Sequence, residues 1–206
     1  MAKKRKFKTD DNRTLVDDIL DFVKVFVISG IVILLFVNFV AHPVTVVGHS
    51  MDPTLQDGEY GFTSLITPMI KDPERGQIVV INEEDDEGKI ERWVKRIIGM
   101  PGETIEAKNG EVFIDGVKLD ESAYLKQEFI DEALAKYKAD HNQQDYGPFT
   151  YDFGPVTLGD DEYWVMGDNR MNSMDSRSPE VGPVNRDNIF GTSILILYPF
   201  NAMGVK

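Results

Sequence analysis

Three stretches of the 206-residue chain gather side chains that could do chemistry together. The first is Gly48-His49-Ser50-Met51-Asp52-Pro53-Thr54-Leu55. A serine hydroxyl is a weak nucleophile until a base takes its proton. Between a glycine and a proline-bearing turn, Ser50 would present an exposed hydroxyl and a free backbone amide. Read alone, the octet also fits a plain surface turn.

The second stretch runs from Trp93 through Lys95-Arg96 to Glu103. In a strand, Lys95 shares a face with Trp93 and Ile97, and Arg96 points the other way. Apolar neighbours strip water from a lysine and favour its neutral amine, the only form that acts as a general base. An exposed edge lysine that blunts aggregation is the alternative. The third stretch, Gly167-Asp168-Asn169-Arg170-Met171-Asn172-Ser173-Met174-Asp175-Ser176-Arg177, crowds polar residues behind a hydrophobic strand. Its backbone groups need side-chain partners, so Asp168, Asp175 and Arg177 are expected to form a buried or half-buried network. A solvated loop with weak ion pairs would have the same composition.

Other chemistries find less support. With no cysteine there is no disulfide framework and no thiolate metal site. Three scattered histidines without an HExxH pattern leave no zinc site, so neither metal nor cofactor is expected. A Ser-His triad is disfavoured because His49 adjoins Ser50 and points away from it in an extended chain, His42 sits at the end of an apolar segment, and His141 lies in a helical insertion. Charge excludes another class. Through Ala41 there are seven Lys/Arg and five Asp/Glu, whereas the remainder carries 15 Lys/Arg against 30 Asp/Glu. That balance has the wrong sign for tracking phosphates, so nucleic acid is not an expected partner.

The segment Val25–Ala41 is apolar apart from Ser29 and Asn38. As a helix its seventeen residues span roughly 26 Å, and Phe22, Val23 and a snorkelling Lys24 can extend it. The basic run Lys3–Lys8 in front places the N-terminus in the cytoplasm by the positive-inside rule. The expected division is a cytoplasmic segment (1–21), a transmembrane anchor (22–41) and an extracytoplasmic β domain (42–206). A cleavable leader is disfavoured because Phe39 stands where a small residue is needed, and a soluble core helix because every face is apolar.

Beyond the anchor, His42-Pro43 is expected to end the helix, and short strands should follow. They are read at Val44–Val47, Gln77–Asn82, Lys89–Ile98, Thr104–Ala107, Glu111–Ile114, Val117–Leu119, Phe149–Phe153, Glu162–Met166 and Ser193–Leu197. Asn109-Gly110 and Asp115-Gly116 mark tight antiparallel turns. Leu125, Phe129, Ile130, Ala133, Leu134 and Tyr137 fall at helical spacing within Tyr124–Asp140. The expected fold is mainly antiparallel β, with one N-terminal transmembrane helix and a small helix in an insertion at about 106–160.

Taken together and in this order, the motifs resemble those of the type I signal peptidases. The resemblance rests on SMxPTL from Ser50, RGxIVV at Arg75–Val80, VKRIIGxPG from Val94 and GDNRxNSxDSR from Gly167, behind a basic start and an apolar segment. The single anchor and short ectodomain look like the Gram-positive form. The resemblance implies a membrane-bound serine endopeptidase that removes signal peptides from exported preproteins after a small-x-small site. In that family pattern Ser50 attacks the scissile carbonyl and Lys95 exchanges its proton. Ser173 corresponds to a serine that orients the lysine, with Asp175, Arg177 and Asp168 supporting the site. The oxyanion hole would use Ser50 N–H. Some members add a hydroxyl two residues earlier, where this chain has Gly48; losing that donor costs ~3 kcal/mol unless something such as Gly48 N–H replaces it. By position, Val46, Met51, Leu55, Trp93 and Val94 match the apolar pocket lining. Preprotein signal peptides and the lipid bilayer are the implied partners.

Overall fold

The computed structural model describes residues 14–84, 87–141 and 147–206; the basic run Lys3–Lys8 lies outside them. Helix α1 (Leu15–Phe39) opens with a capping box: Thr14 Oγ1 accepts from Asp17 N–H, and the Asp17 carboxylate accepts from Thr14 N–H. These bonds satisfy two of the orphan donors that every helix start leaves. Its 25 residues make a rod of roughly 37 Å. None of its residues is buried, and its most apolar 18-residue window reaches a mean hydropathy of 2.6, so α1 is a candidate membrane span. The one amide in its last turn, Asn38, donates to Leu34 O at 2.7 Å, which satisfies one of its two side-chain N–H groups within the helix.

Thereafter come β1 (Ala41–Thr45), β2 (Tyr60–Ser64), the short α2 (Thr67–Ile70), β3 (Ile78–Glu84), β4 (Ile90–Gly99), β5 (Thr104–Lys108), β6 (Glu111–Ile114) and β7 (Val117–Lys118). Next are α3 (Gln127–His141), β8 (Phe153–Thr157), β9 (Glu162–Met166), β10 (Val184–Asn185), β11 (Ile189–Tyr198) and β12 (Gly204–Val205). The larger sheet has the order β1-β2-β11-β3-β4-β9-β10, with β12 beside β11, and the smaller has the order β7-β6-β5-β8. Every pairing is antiparallel, as the sequence led one to expect.

Three buried clusters hold the sheets together. One joins Val46, Met51 and Leu55 from the serine stretch to Ile78, Val80, Ile194 and Ile196. A second gathers Val79, Ile81, Ile97, Val165 and Ile189, with Trp93 packed against it. The third, around Ile98, Ile105, Val112, Trp164 and Met166, welds the smaller sheet to the larger. Each buried aliphatic contributes about 1.5–3 kcal/mol relative to exposure, so the serine stretch is fixed by its own apolar side chains.

Several boundaries differ from the sequence reading. The helix stops at Phe39 rather than at His42-Pro43, and Ala41–Thr45 already pairs with Tyr60–Ser64. Proline is tolerated there because β1 is an edge strand, where a missing N–H need not break a ladder bond. Val46 and Val47 lie beyond the strand, and the strand expected at Phe149–Phe153 forms at Phe153–Thr157. Strand β2 was not anticipated. Its Gly61 allows β11 to approach, since a Cβ there would collide with the Leu195 carbonyl. The two hairpin turns form as expected, with Asn109 and Gly110 at φ 54° and 84°, and Asp115 and Gly116 at 50° and 77°.

Candidate active site

Strand alternation sends the adjacent basic residues Lys95 and Arg96 of β4 to different partners. Lys95 is buried, and its Nζ lies 3.1 Å from Ser50 Oγ and 5.5 Å from the Trp93 ring centroid. Burial pushes the amine pKa down from 10.5 to about 8; Asp175 pulls it up, Arg177 pushes it down and Glu83 pulls it up. An amine so poised is partly neutral at physiological pH and sits within reach of a hydroxyl proton.

Arg96 serves the other side. Its guanidinium donates to both Asp168 oxygens, Nε to Oδ1 at 2.8 Å and Nη2 to Oδ2 at 2.6 Å, and through Nη1 to Gly76 O at 2.6 Å. Thr54 Oγ1 also donates to Asp168 Oδ2, at 2.5 Å. One carboxylate therefore ties the serine stretch, β4 and the loop after β9 together. Asn169 adds a second tie: its N–H donates to Ser50 O and its Nδ2 to His49 O, each at 3.0 Å.

The network expected of Asp168, Asp175 and Arg177 is two separate pairs. Asp168 belongs to Arg96, whereas Asp175 and Arg177 bind each other through Nε–Oδ1 and Nη2–Oδ2 contacts of 2.8 Å. The physical reason is spacing: Asp175 and Arg177 are two apart and close locally, while Asp168 sits beside β4. Burial alone would raise the Asp175 pKa, but the Arg177 bond and charge and the Gly167 N–H outweigh it, and the carboxyl stays below its usual range. Ser173 Oγ is buried and reaches no hydrogen-bond partner among the described residues, so the implied bond to Lys95 is not formed. It is pressed against Gly167 and lies near enough to Asp175 to help lower that carboxyl, outside the geometry of a formed bond.

Gly48 also differs from expectation. Its N–H donates to Asp57 Oδ1 at 2.7 Å, so it is already committed and not free for an oxyanion. Its φ of 88° is a left-handed conformation that L side chains rarely adopt, which accounts for glycine in this turn. Ser50 N–H has no acceptor among the described residues.

A cleft of about 290 Å³ opens beside the pair, lined by Val46, Ser50, Met51, Trp93, Val94 and Lys95. Thr45, Val47, Arg92 and Met174 complete its wall and were not foreseen. Leu55 does not reach it; this fully buried side chain packs beneath, in the cluster with Val46 and Met51. The ties from Arg96, Thr54 and Asn169 were also missed. For Arg96 strand alternation gives the direction, opposite to Lys95, but not the acid that it meets.

The histidines are engaged elsewhere. His49 Nδ1 lies 3.1 Å from an Asp52 oxygen and His42 Nε2 lies 2.9 Å from Arg92. Among the described residues no group of three His, Asp or Glu side chains could hold a metal ion.

A buried amine beside a serine, on antiparallel sheets behind an apolar helix, defines a site suited to acyl transfer. The family profile described as "Signal peptidase, peptidase S26" matches residues 19–198. Signal peptidase I of Bacillus amyloliquefaciens is 44% identical over 183 residues, covering 89% of this chain and 90% of that protein. Signal peptidase I S of Bacillus subtilis (strain 168) is 41% identical over 193 residues, covering 94% and 96%. A crystal structure of a signal peptidase I from Enterococcus faecalis V583 is 31% identical and covers 59% of this chain and 97% of that one, with a TM-score of 0.42. The chain belongs to the signal peptidase family, peptidase S26. Its enzyme class is signal peptidase I.

Proposed function

We propose that the protein cleaves signal peptides from exported preproteins by a Ser50–Lys95 dyad, at the outer face of the membrane that α1 crosses. The carrying observation is Lys95 Nζ, buried and 3.1 Å from Ser50 Oγ. Neutral Lys95 takes the hydroxyl proton as Ser50 Oγ bonds to the scissile carbonyl carbon. The resulting ammonium then protonates the leaving amine, and the acyl-enzyme is released by water with the same amine as base. Ser50 N–H is the backbone donor for the oxyanion, and Gly48 is left out of that role by its bond to Asp57. Asp175, Arg177, Asp168 and Ser173 shape the site rather than react. In this reading the N-terminus is cytoplasmic and the β domain extracytoplasmic, with α1 as a single-pass anchor in the lipid bilayer.

The preprotein residues before the cut lie extended in the cleft of Val46, Met51, Trp93 and Val94. Side-chain alternation makes the first and third of them the ones tested for small size. Incubation of a purified preprotein with wild type, Ser50→Ala and Lys95→Ala should yield cleavage after a small-x-small site with wild type only. Full activity in either variant would remove the mechanism.

A further inference from the structure

A second cleft, of about 380 Å³, also borders the serine stretch, through His49 and Asp52. Its walls are His49 and Asp52 on one side and Glu132, Lys136, Tyr137 and Asp140 of α3 on the other. We propose that this cleft takes the preprotein residues just after the cut and favours basic side chains among them. The proposal rests on the signal peptidase reading above and extends it to the downstream half of the substrate.

Continuity carries the argument. Ser50 lines the first cleft, and its neighbour His49 lines the second. A peptide whose carbonyl meets Ser50 has two directions to leave, and the first cleft accommodates the upstream one. The downstream residues then pass His49 toward α3. Asn169, which also lines the second cleft, holds the carbonyls of both His49 and Ser50 at 3.0 Å, so the ridge between the clefts is fixed.

Charge sets the preference. Glu132, Lys136 and Asp140 are spaced four apart and form one exposed stripe of α3. With Asp52 opposite, three carboxylates stand against one lysine in a half-enclosed space, where like charges repel and unlike charges attract more strongly than in open water. Phe129 and Tyr137, half-buried, supply an apolar floor against which the stem of a lysine or arginine can lie. The helix is held in place by Phe129 edge-on to Phe149, with ring centroids 6.1 Å apart.

The test uses the full chain in detergent and three preprotein-derived peptides. Two differ only in carrying Lys-Lys or Glu-Glu at the third and fourth positions after the cut; the third ends one residue after it. Wild type should cleave the Lys-Lys peptide with a kcat/KM ~5-fold above the Glu-Glu peptide at low salt. The exposed double variant Glu132→Lys/Asp140→Lys should invert that ratio and cleave the short peptide as wild type does. A control reversal at Asp160 and Glu180, away from the cleft, should leave the ratio unchanged. An equal ratio in wild type and the α3 variant, or inversion by the control as well, would overturn the proposal while the short peptide shows proteolysis intact. Failure of wild type to cleave any of the three would instead sink the protease reading, and this proposal with it.

Discussion

Asp168 grips Arg96 with both carboxylate oxygens, and each side chain is less than a tenth exposed. Breaking one partner of such a pair leaves an uncompensated charge in the interior, which costs about 3–5 kcal/mol. Asp168→Ala should therefore lower the unfolding free energy of the solubilised chain by about that amount, read by urea titration. Because Thr54 shares the carboxylate, kcat should fall as well, even though Asp168 contacts no reacting atom.

The buried amine predicts that activity and stability both rise with pH, over adjoining ranges. With the Lys95 pKa near 8, kcat/KM should rise about tenfold per pH unit below that value and level off above it. Lys95→Arg should be inactive across the range, because a guanidinium stays charged. A profile flat from pH 6 to 10 would exclude Lys95 as base.

Stability should follow the same group in the sense set by linkage. The folded state holds the Lys95 proton less tightly than the unfolded chain does, 8 against 10.5. Below pH 8 both states are protonated, and the fold bears a penalty of about 3 kcal/mol. Between pH 8 and 10.5 the penalty vanishes. Lys95→Met should therefore be more stable than wild type at pH 7, with the difference shrinking toward pH 10.5 in denaturant titrations.

A side chain at Gly167 would overlap Ser173 Oγ and the Ser50 carbonyl. Gly167→Ala should cost about 1–3 kcal/mol of stability through overpacking. It should also displace Ser50 from Lys95, so kcat should drop more than a hundredfold, with the loss of activity exceeding the loss of fold by circular dichroism.

Gly48 has room for a side chain but the wrong backbone angle for one. Gly48→Ala should cost about 1–2 kcal/mol. Asp57→Ala should loosen the same turn by removing the acceptor of Gly48 N–H, which shows as faster amide exchange at residue 48.

What the sequence made legible divides by range. Periodicity located β4, β9 and α3 to within a few residues, and the Asn-Gly and Asp-Gly turns located a hairpin pair, because these are local signals. Strand β2 escaped: its glycine and polar residues are there for close approach to β11, a partner more than a hundred residues away. The same limit held at the site. The motifs marked Ser50 and Lys95, and strand alternation placed Lys95 with Trp93 and Ile97. Nothing local could reveal that Asp168 answers Arg96 rather than Arg177, or that Asp57 occupies the Gly48 amide. Leu55, grouped by position with the cleft lining, proved to be packing beneath it, since only the tertiary fold decides which of two neighbouring apolar side chains faces outward.

Val40 alone separates the end of α1 from the first residue of β1. So short a hinge gives the β domain almost no leash, and in the proposed reading, with α1 as anchor, the helix rather than diffusion would set the height of Ser50 above the bilayer. An enzyme so mounted would work as a ruler: a cut site presented one or two helical turns too high or too low would miss the proposed nucleophile, however well its side chains fit.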